Sequence, residues 1–342
     1  MEGLKITDAA LGAYLERVVP GFRGLTHVEK FGTGQSNPTY KLVAQDGVYV
    51  LRTKPPGRLL KSAHRVDREY RVMKALAGTA VPVPEVLHFA DDDASPFGRS
   101  FLVMRFLEGR IFWDPALPDL EAARRGGVYD AMCDTLVALH SVEVASLGLS
   151  DFGRPGNYFQ RQTKRWTEQY HASALRPDAD VIFLIGWLAR HMPEDDGQVA
   201  LVHGDYRIDN MIFACDREDV IGLLDWELST LGHPLADLAY QCMQWRLPNR
   251  DGMKGLAGVE RGETGLPTED DYVARYCERR GIGAISNWPF YLVFSFFRLA
   301  AILEGVVRRA HDGNASNPET ARRYSRVVPF LARTAREIAQ GA

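Results

Sequence analysis

The sequence predicts an α+β fold in which a small lobe, built on an antiparallel sheet with a helix, precedes a larger and mainly helical lobe. Short strand-like runs with turn signals dominate the first third of the chain, and helical periodicity dominates after Gly109. The length of 342 residues is also sufficient for two domains of ordinary size. We therefore predict an N-terminal lobe over residues 1–104, a hinge over 105–109 and a C-terminal lobe over 110–342.

The N-terminal lobe is predicted to contain three strands, one helix and two further strands. The strands cover residues 25–31, 40–44, 48–52, 81–89 and 100–106. Asp46-Gly47 separates the second strand from the third, and this dipeptide between alternating apolar runs is a strong hairpin signal. Ser62 is a candidate N-cap for a helix that ends near Leu76.

The C-terminal lobe is predicted to be helical around one β-rich segment. The helices cover residues 120–142, 158–175, 179–191, 270–280, 289–311 and 319–340, and the β-rich segment covers 199–225. The Gly-rich segment from Gly252 to Gly265 is expected to be a flexible surface loop. The apolar run over 290–307 contains Arg298 and Glu304, which favours a buried helix over a membrane span.

Charge and cysteine content exclude several classes of function. Lys and Arg number 41 against 44 Asp and Glu, so the chain has no overall attraction for nucleic acid or anionic lipid. We accordingly expect no nucleic-acid or membrane partner. The four cysteines are far apart, which is typical of a reducing compartment. Since the first residues lack the apolar segment of a signal peptide, we expect a cytoplasmic location. The sequence makes no prediction about the oligomeric state.

The β-rich segment contains a set of polar residues that fits phosphoryl transfer. It reads His203-x-Asp205-x-x-x-x-Asn210, followed by an apolar strand, a turn, a second strand and Asp225. Phosphoryl transfer requires a carboxylate near the acceptor hydroxyl and oxygen ligands for Mg²⁺. Asp205 could accept the hydroxyl proton, while Asn210 and Asp225 could hold the metal because a hairpin returns Asp225 to the side of Asn210. We therefore predict Asp205, Asn210 and Asp225 as catalytic residues, the last two as metal ligands.

Six segments carry a resemblance to a known family, at residues 32–40, 50–57, 68–72, 203–210, 224–227 and 232–239. From about Leu25 to Arg309 the chain resembles the aminoglycoside phosphotransferase family, and most closely the phosphotransferase-like domain fused to some acyl-CoA dehydrogenases. The resemblance implies a protein-kinase-like two-lobe fold, with ATP, or alternatively GTP, and Mg²⁺ as cofactors. It also implies that Asp237 braces the catalytic loop. The segment after Asp225 is too short for a peptide-docking loop, which favours a small-molecule hydroxyl as acceptor.

The nucleotide side is predicted in the N-terminal lobe. A glycine-rich lid over the phosphates would consist of Gly32, Gly34, Ser36 and Asn37. Arg52 lies on the third strand, where kinases usually have Lys; it could bind phosphate and pair with Glu69 on the helix. Lys54 points to the same face and remains the alternative cation. By the resemblance, the connection with Met104 and Phe106 would lie against the adenine.

The acceptor side is predicted near Asp205. Tyr206, Arg207 and Glu227 are close to it in sequence, and Tyr158 begins a helix whose face could line a pocket. The acidic runs of the chain resemble solvated loops, so a polycationic aminoglycoside is not the favoured acceptor. The relatives fused to dehydrogenases imply a hydroxyacyl compound. The alternatives are an aminoglycoside- or choline-type kinase and a nucleotide-binding regulatory module without turnover.

Overall fold

The computed structural model describes residue 4 and residues 6–32, 37–56, 65–250, 253–261, 263–313 and 318–342. The chain divides into two compact units. Unit 1 comprises Met1–Arg110, Ala145–Leu149 and Asn210–Leu228, and unit 2 comprises Ile111–Val144, Ser150–Asp209 and Ser229–Ala342.

The first seven elements of the chain form most of unit 1. They are α1 (Asp8–Val18), β1 (Leu25–Lys30), β2 (Thr39–Ala44), β3 (Gly47–Thr53), α2 (Val66–Leu76), β4 (Val86–Ala90) and β5 (Phe101–Arg105). The five predicted strands are therefore confirmed with shifted ends. β4 begins later than predicted because Pro82 and Pro84 lack the N–H that a strand ladder requires. The predicted N-cap Ser62 lies outside the described residues.

The prediction of a single helix in this part of the chain was wrong, because α1 precedes the sheet. The side chain of Thr7 caps it by accepting from the Ala10 N–H at 3.3 Å, and Leu11 and Leu15 are buried. These two leucines join the apolar core under the sheet. A Thr cap followed by Asp8 was the sequence signal for this helix.

The remaining elements follow in chain order. They are α3 (Ala122–His140), α4 (Tyr158–Ser173), α5 (Ala179–Arg190), β6 (Ala200–Val202), β7 (Met211–Phe213), β8 (Val220–Leu223), β9 (Thr230–Gly232), α6 (Leu235–Cys242), α7 (Glu269–Arg280), α8 (Trp288–His311) and α9 (Pro318–Gln340). The six predicted helices are confirmed, and α6 and β9 are additional.

The sheet of unit 1 is antiparallel throughout, in the order β1-β2-β3-β5-β4. The predicted hairpin between β2 and β3 turns at Asp46-Gly47, and Ala44 pairs with Gly47. In this register Arg52 lies between Thr39 on β2 and Leu102 on β5. The middle strand of the sheet thus presents Arg52 at its end.

The hairpin of β7 and β8 belongs to unit 1, although the predicted boundaries assign it to the C-terminal lobe. The Phe213 N–H donates to the Arg110 carbonyl, and the Leu223 N–H donates to the Pro82 carbonyl, each at 2.8 Å. These main-chain bonds attach the hairpin to segments of unit 1. The division of the chain is therefore discontinuous in sequence.

In unit 2, α8 forms the centre of the helical core and packs against α4, α5, α6 and α9. It is long and apolar enough to cross a membrane by length and composition, and 67% of its apolar window is buried inside the protein. This burial matches the predicted core helix. The segment after Gly252, by contrast, departs from the predicted flexible surface loop. Leu256 is fully buried there, and its N–H donates to the Gln244 carbonyl at 2.7 Å.

Candidate active site

In unit 1, Arg52 joins two carboxylates from distant parts of the chain. Its Nε lies 2.8 Å from Oε2 of Glu69 on α2, and its Nη2 lies 2.6 Å from Oδ1 of Asp225 after β8. The predicted pair of Arg52 and Glu69 is therefore confirmed. Lys54, the alternative cation, instead pairs with Asp92 at 3.1 Å. Arg52 is thus the cation that accompanies these carboxylates.

Asn37 contacts the same cluster through Glu69. Its side-chain amide is buried and donates to Oε1 of Glu69 at 2.8 Å. The structure therefore gives the Asn37 side chain a positioning contact with Glu69, and its predicted part in a lid over the phosphates stays a prediction. A Cβ at Gly32 would meet no atom of the described residues within 4 Å, while Gly34 and Ser36 lie outside the described residues. Burial raises the pKa of the Glu69 carboxyl, and the Arg52 guanidinium opposes that rise.

The hairpin of β7 and β8 brings Asn210 and Asp225 to one end, as the sequence predicts. Met211 pairs with Leu223, and the Asn210 carbonyl accepts from the Leu224 N–H at 2.8 Å. Asp225 has φ of 64°, a left-handed conformation that is uncommon outside glycine. Such backbone conformations cluster at ligand sites.

A third carboxylate, from Glu227, completes this group. The ligand oxygens of Glu69, Asp225 and Glu227 lie within 4.8 Å of one another. When Glu69 is ionised, the three carboxylates exceed the accompanying Arg52 cation by two negative charges. Hard carboxylate oxygens are the donors that Mg²⁺ prefers, so the residues present fit this ion. Glu227 was predicted on the acceptor side, and the structure places its carboxylate among the candidate metal ligands, so its contact with an acceptor stays a prediction.

The predicted connection begins inside the sheet. Met104 is a buried residue of β5, paired with Val50 and Val86. Phe106 is half-buried, its N–H donates to the Val48 carbonyl at 3.2 Å, and the Lys41 ammonium lies 5.1 Å from its ring centroid. Their contact with a nucleotide stays a prediction.

In unit 2, Asp237 holds the loop that precedes Asp205. The His203 N–H donates to Oδ2 of Asp237 at 2.6 Å, and the Gly204 N–H donates to its Oδ1 at 2.8 Å. Burial alone would raise the pKa of this carboxyl, but His140, the His203 ring and the Gly204 N–H together lower it by more, so its pKa lies below the usual value. The predicted bracing role of Asp237 is confirmed.

A second layer of buried groups supports this brace. Nε2 of His140 lies 3.4 Å from Oδ2 of Asp237, and its Nδ1 lies 2.7 Å from the Tyr276 hydroxyl. From α8, Nη2 of Arg298 donates to the Gly204 carbonyl at 2.7 Å. His140 is therefore a buried residue of the core that supports the brace. Arg298 and Tyr276 were missed as loop supports, and the signal for Arg298 was a charge inside an apolar helix.

Asp205 itself is in contact with neighbours in unit 2. Nε of Arg207 lies 3.2 Å from its Oδ1, and Nη2 of Arg207 lies 3.3 Å from Oδ2 of Asp209. The buried Tyr240 hydroxyl also hydrogen-bonds Asp205; burial and this negative neighbour raise the pKa of Tyr240. Sequence reasoning missed Tyr240, since it lies 35 positions from Asp205 in the chain.

Two of the predicted acceptor residues, Tyr206 and Tyr158, are buried. Tyr206 is fully buried, and its hydroxyl donates to the Met132 carbonyl at 2.6 Å, so we do not include it in the acceptor site. Tyr158 is buried against Phe159 and lines a cavity of about 160 Å³ together with His233 and Tyr291. Arg207 is exposed beside Asp205 and remains a candidate for the acceptor side.

Comparison with known proteins identifies the family of this chain. Residues 27–275 match the family described as the phosphotransferase enzyme family. Mouse acyl-CoA dehydrogenase family member 10 is 43% identical over 332 residues, covering 95% of this chain and 31% of the relative. Rat acyl-CoA dehydrogenase family member 11 is 40% identical over 331 residues, covering 95% of this chain and 42% of the relative. The chain spans less than half the length of these relatives.

Solved structures extend the comparison to the fold. A provisionally assigned aminoglycoside phosphotransferase from Ralstonia eutropha JMP134 is 42% identical and has a TM-score of 0.88, covering 98% of this chain and 99% of that one. A thermostable mutant of aminoglycoside phosphotransferase APH(4)-Ia, in complex with AMP-PNP and hygromycin B, has 16% identity and a TM-score of 0.63, covering 97% and 99%. The predicted kinase-like α+β fold is confirmed, and the chain belongs to the phosphotransferase enzyme family.

Proposed function

We propose that this chain is an ATP- and Mg²⁺-dependent phosphotransferase that moves the γ-phosphate to a hydroxyl group of a small molecule. The observation that carries the proposal is the cluster of Arg52 with Glu69, Asp225 and Glu227 in unit 1. Its excess of negative charge suits a divalent cation, and its guanidinium suits a phosphate chain. Family membership supports the same activity.

The proposed mechanism assigns a role to each polar residue. Asp205 accepts the proton of the acceptor hydroxyl while the oxygen of that hydroxyl forms a bond to the γ-phosphorus. The bond between that phosphorus and the bridging oxygen breaks, so that ADP leaves and a phosphate ester forms. Arg52, held by Glu69, binds the phosphates. Asn210 and Asp225, with Glu227 beside them, would hold Mg²⁺, which when bound neutralises charge that develops on the phosphate oxygens.

For the acceptor we propose a hydroxyacyl compound. The longer relatives are named acyl-CoA dehydrogenases, which supports an acyl substrate for the related segment. An aminoglycoside is the competing acceptor, because a structural neighbour holds hygromycin B. GTP is the competing phosphate donor. A panel of acceptors and both nucleotides therefore belongs in the first experiment.

The test is the release of ADP or GDP with Mg²⁺ and a panel of hydroxyacyl thioesters, aminoglycosides, choline and sugars. Asp205→Ala removes the proposed base, and we expect it to abolish acceptor-dependent turnover while nucleotide binding persists. Asp216→Ala is the matched control, because it removes an exposed carboxylate in the turn between β7 and β8.

Each outcome is decisive for the proposal. Turnover that depends on one acceptor class and disappears only in Asp205→Ala supports the kinase and identifies its substrate. Tight nucleotide binding without turnover on any acceptor favours the regulatory module. If neither nucleotide binds the wild-type chain, the proposed function is wrong.

A further inference from the structure

Unit 2 contains a cavity of about 120 Å³ beside the loop of Asp205. Arg207 lines the cavity and also contacts Asp205, since its Nε lies 3.2 Å from Oδ1 of that residue. Ile208 and Asp209, the next two residues of the chain, line the cavity as well. A molecule in this cavity therefore lies next to a residue that contacts the proposed base.

The charged groups at this cavity compensate one another. Arg207 pairs with Asp205 and with Asp209, at 3.2 and 3.3 Å, and Lys254 is the second cation of the lining. Two carboxylates thus balance two cations. The amide nitrogens of the two glutamines in the lining are buried and have no access to the cavity. Among the residues that the structure describes, the lining therefore offers an occupant neither a net charge nor an amide donor.

Apolar side chains form most of the cavity wall, and two of them, Leu299 and Leu303, come from α8. Both are half-buried, although residues 290–298 of the same helix are all buried. A mainly apolar cavity beside a reacting group is typical of a small-molecule site. The wall thus suits an alkyl chain. Its other aliphatic and thioether members are Ile208, Met243, Leu247, Met253 and Val327.

The contact of Arg298 shows which of the two leucines is nearer to Asp205. Nη2 of Arg298 donates to the Gly204 carbonyl at 2.7 Å, and the side chains of an α-helix lean toward its N-terminus. Leu299 follows Arg298 directly, and Leu303 lies one turn beyond, about 6 Å along the helix axis. An extended chain advances about 1.2 Å per bond, so this separation corresponds to about five carbon atoms. The two leucines therefore lie at successive distances from the proposed base.

We propose, on the basis of the phosphotransferase function proposed above, that Leu299 and Leu303 determine which chain lengths of a hydroxyacyl acceptor are preferred. The hydroxyl of the acceptor lies at Asp205, and its alkyl chain extends through the cavity past Leu299 toward Leu303. A short chain covers only Leu299, whereas a longer chain covers both leucines and excludes water from them. Each methylene group buried in this way should raise kcat/KM about fourfold, which corresponds to about 0.8 kcal/mol.

The test compares acceptors that differ only in chain length, the N-acetylcysteamine thioesters of 3-hydroxybutanoic, 3-hydroxyhexanoic and 3-hydroxydecanoic acid. We expect kcat/KM of the wild type to rise along this series. Leu303→Trp should lower the ratio of the decanoyl to the hexanoyl value about tenfold, roughly the effect of two methylene groups, because its ring occupies the place of the distal carbons. Leu299→Trp should also lower the ratio of the hexanoyl to the butanoyl value. Ile302→Trp, a change on α8 outside the cavity lining, is the control and should keep both ratios.

Calorimetric titration of the same thioesters, without nucleotide, separates this proposal from the proposed function. If the series is turned over and Leu303→Trp has the same ratios as Ile302→Trp, the assignment is wrong and the proposed function stands. If no acceptor is turned over, tighter binding of the decanoyl compound that Leu303→Trp removes supports the assignment, and equal binding of the series overturns it. Should Leu303→Trp fail to fold by thermal melting, Leu303→Asn decides instead, because it keeps the side-chain size, replaces apolar wall by an amide and should lower the same ratio.

Discussion

Arg52 shows how one side chain can organise a charged cluster. Its planar guanidinium contacts Glu69 with one nitrogen and Asp225 with another, whereas a lysine ammonium would be a single point charge. The side chain of Glu69 is 1% exposed, so its charge depends on this contact. The guanidinium of Arg52 therefore pairs with both carboxylates at once.

We expect Arg52→Met to lower the free energy of unfolding by about 3–5 kcal/mol, because it leaves the buried Glu69 carboxylate without its cation. Arg52→Lys should cost less, since one ion pair can persist. Urea denaturation of both variants and of Arg52→Met/Glu69→Gln gives the coupling free energy between the two residues. Stability of Arg52→Met equal to that of the wild type would contradict this assignment.

His140 predicts a pH dependence of stability. Burial lowers its pKa below 6.5, although Asp237 opposes that shift. Below about pH 6.5 the unfolded chain therefore binds more protons at this residue than the folded chain. The His140 contribution to stability is full above that pH and is lost as the pH falls into the acid range.

We expect the wild type to lose stability between pH 6.5 and 5 more steeply than His140→Gln, by up to about 1.4 kcal/mol per pH unit. Urea midpoints across this range measure the difference. His171→Gln, a change to an exposed histidine of α4, should follow the wild type. Parallel curves for wild type and His140→Gln would show that this histidine is not responsible.

At the scale of elements, α8 does more than fill the core of unit 2. Arg298 is 6% exposed within this apolar helix and donates to the Gly204 carbonyl. Gly204 belongs to the loop whose N–H groups donate to the Asp237 carboxylate. Its guanidinium also lies 5.4 Å from the Tyr240 ring centroid. The helix therefore supports the loop before Asp205 through a charged hydrogen bond.

We expect Arg298→Met to lower kcat about tenfold to a hundredfold, in keeping with the loss of a hydrogen bond from a charged donor. Nucleotide affinity should change little, because Arg52 and its carboxylates lie in unit 1. Steady-state kinetics together with nucleotide titration separate the two effects. Arg308→Met on the same helix is the control, since Arg308 is half-exposed and pairs with Asp312. Equal kinetics for the two variants would remove Arg298 from the supports of the loop.

At the scale of the whole molecule, ligand binding should raise the free energy of unfolding. A ligand that binds only the folded chain at a hundred times its dissociation constant adds about 2.7 kcal/mol to the free energy of unfolding. The carboxylates of unit 1 would supply the Mg²⁺-dependent part of this gain. Chelation of the metal and replacement of a metal-binding carboxylate should therefore both remove the Mg²⁺-dependent gain in stability.

We expect AMP-PNP with Mg²⁺ to raise the thermal midpoint more than AMP-PNP with EDTA. Asp225→Asn should abolish that difference, while Asp219→Asn, in the exposed turn of the same hairpin, should retain it. Thermal melts at fixed nucleotide concentration provide the measurement. A Mg²⁺-dependent shift that survives in Asp225→Asn would exclude Asp225 as a metal ligand.

Local sequence patterns were sufficient to predict most of the secondary structure. The sheet of unit 1, six helices and the hairpin between Asn210 and Asp225 follow from periodicity and turn residues that act over a few positions. The helix α6 was not predicted, because all its residues are buried and its sequence therefore lacks an apolar face opposite a polar one. The helix α1 was not predicted, because its signal in the sequence was a single N-cap and two leucines.

Only the tertiary structure decided which polar groups meet. Arg52 and Asp225 are 173 positions apart, and nothing local distinguishes Arg52 from Lys54 as the partner of that carboxylate. The same holds for Glu227, which neighbours Asp225 in sequence but joins Glu69 through folding, and for Tyr206, whose hydroxyl meets a main-chain carbonyl. Backbone periodicity is set by neighbours along the chain, whereas the partner of a side chain is set by the packing of segments that are remote in sequence.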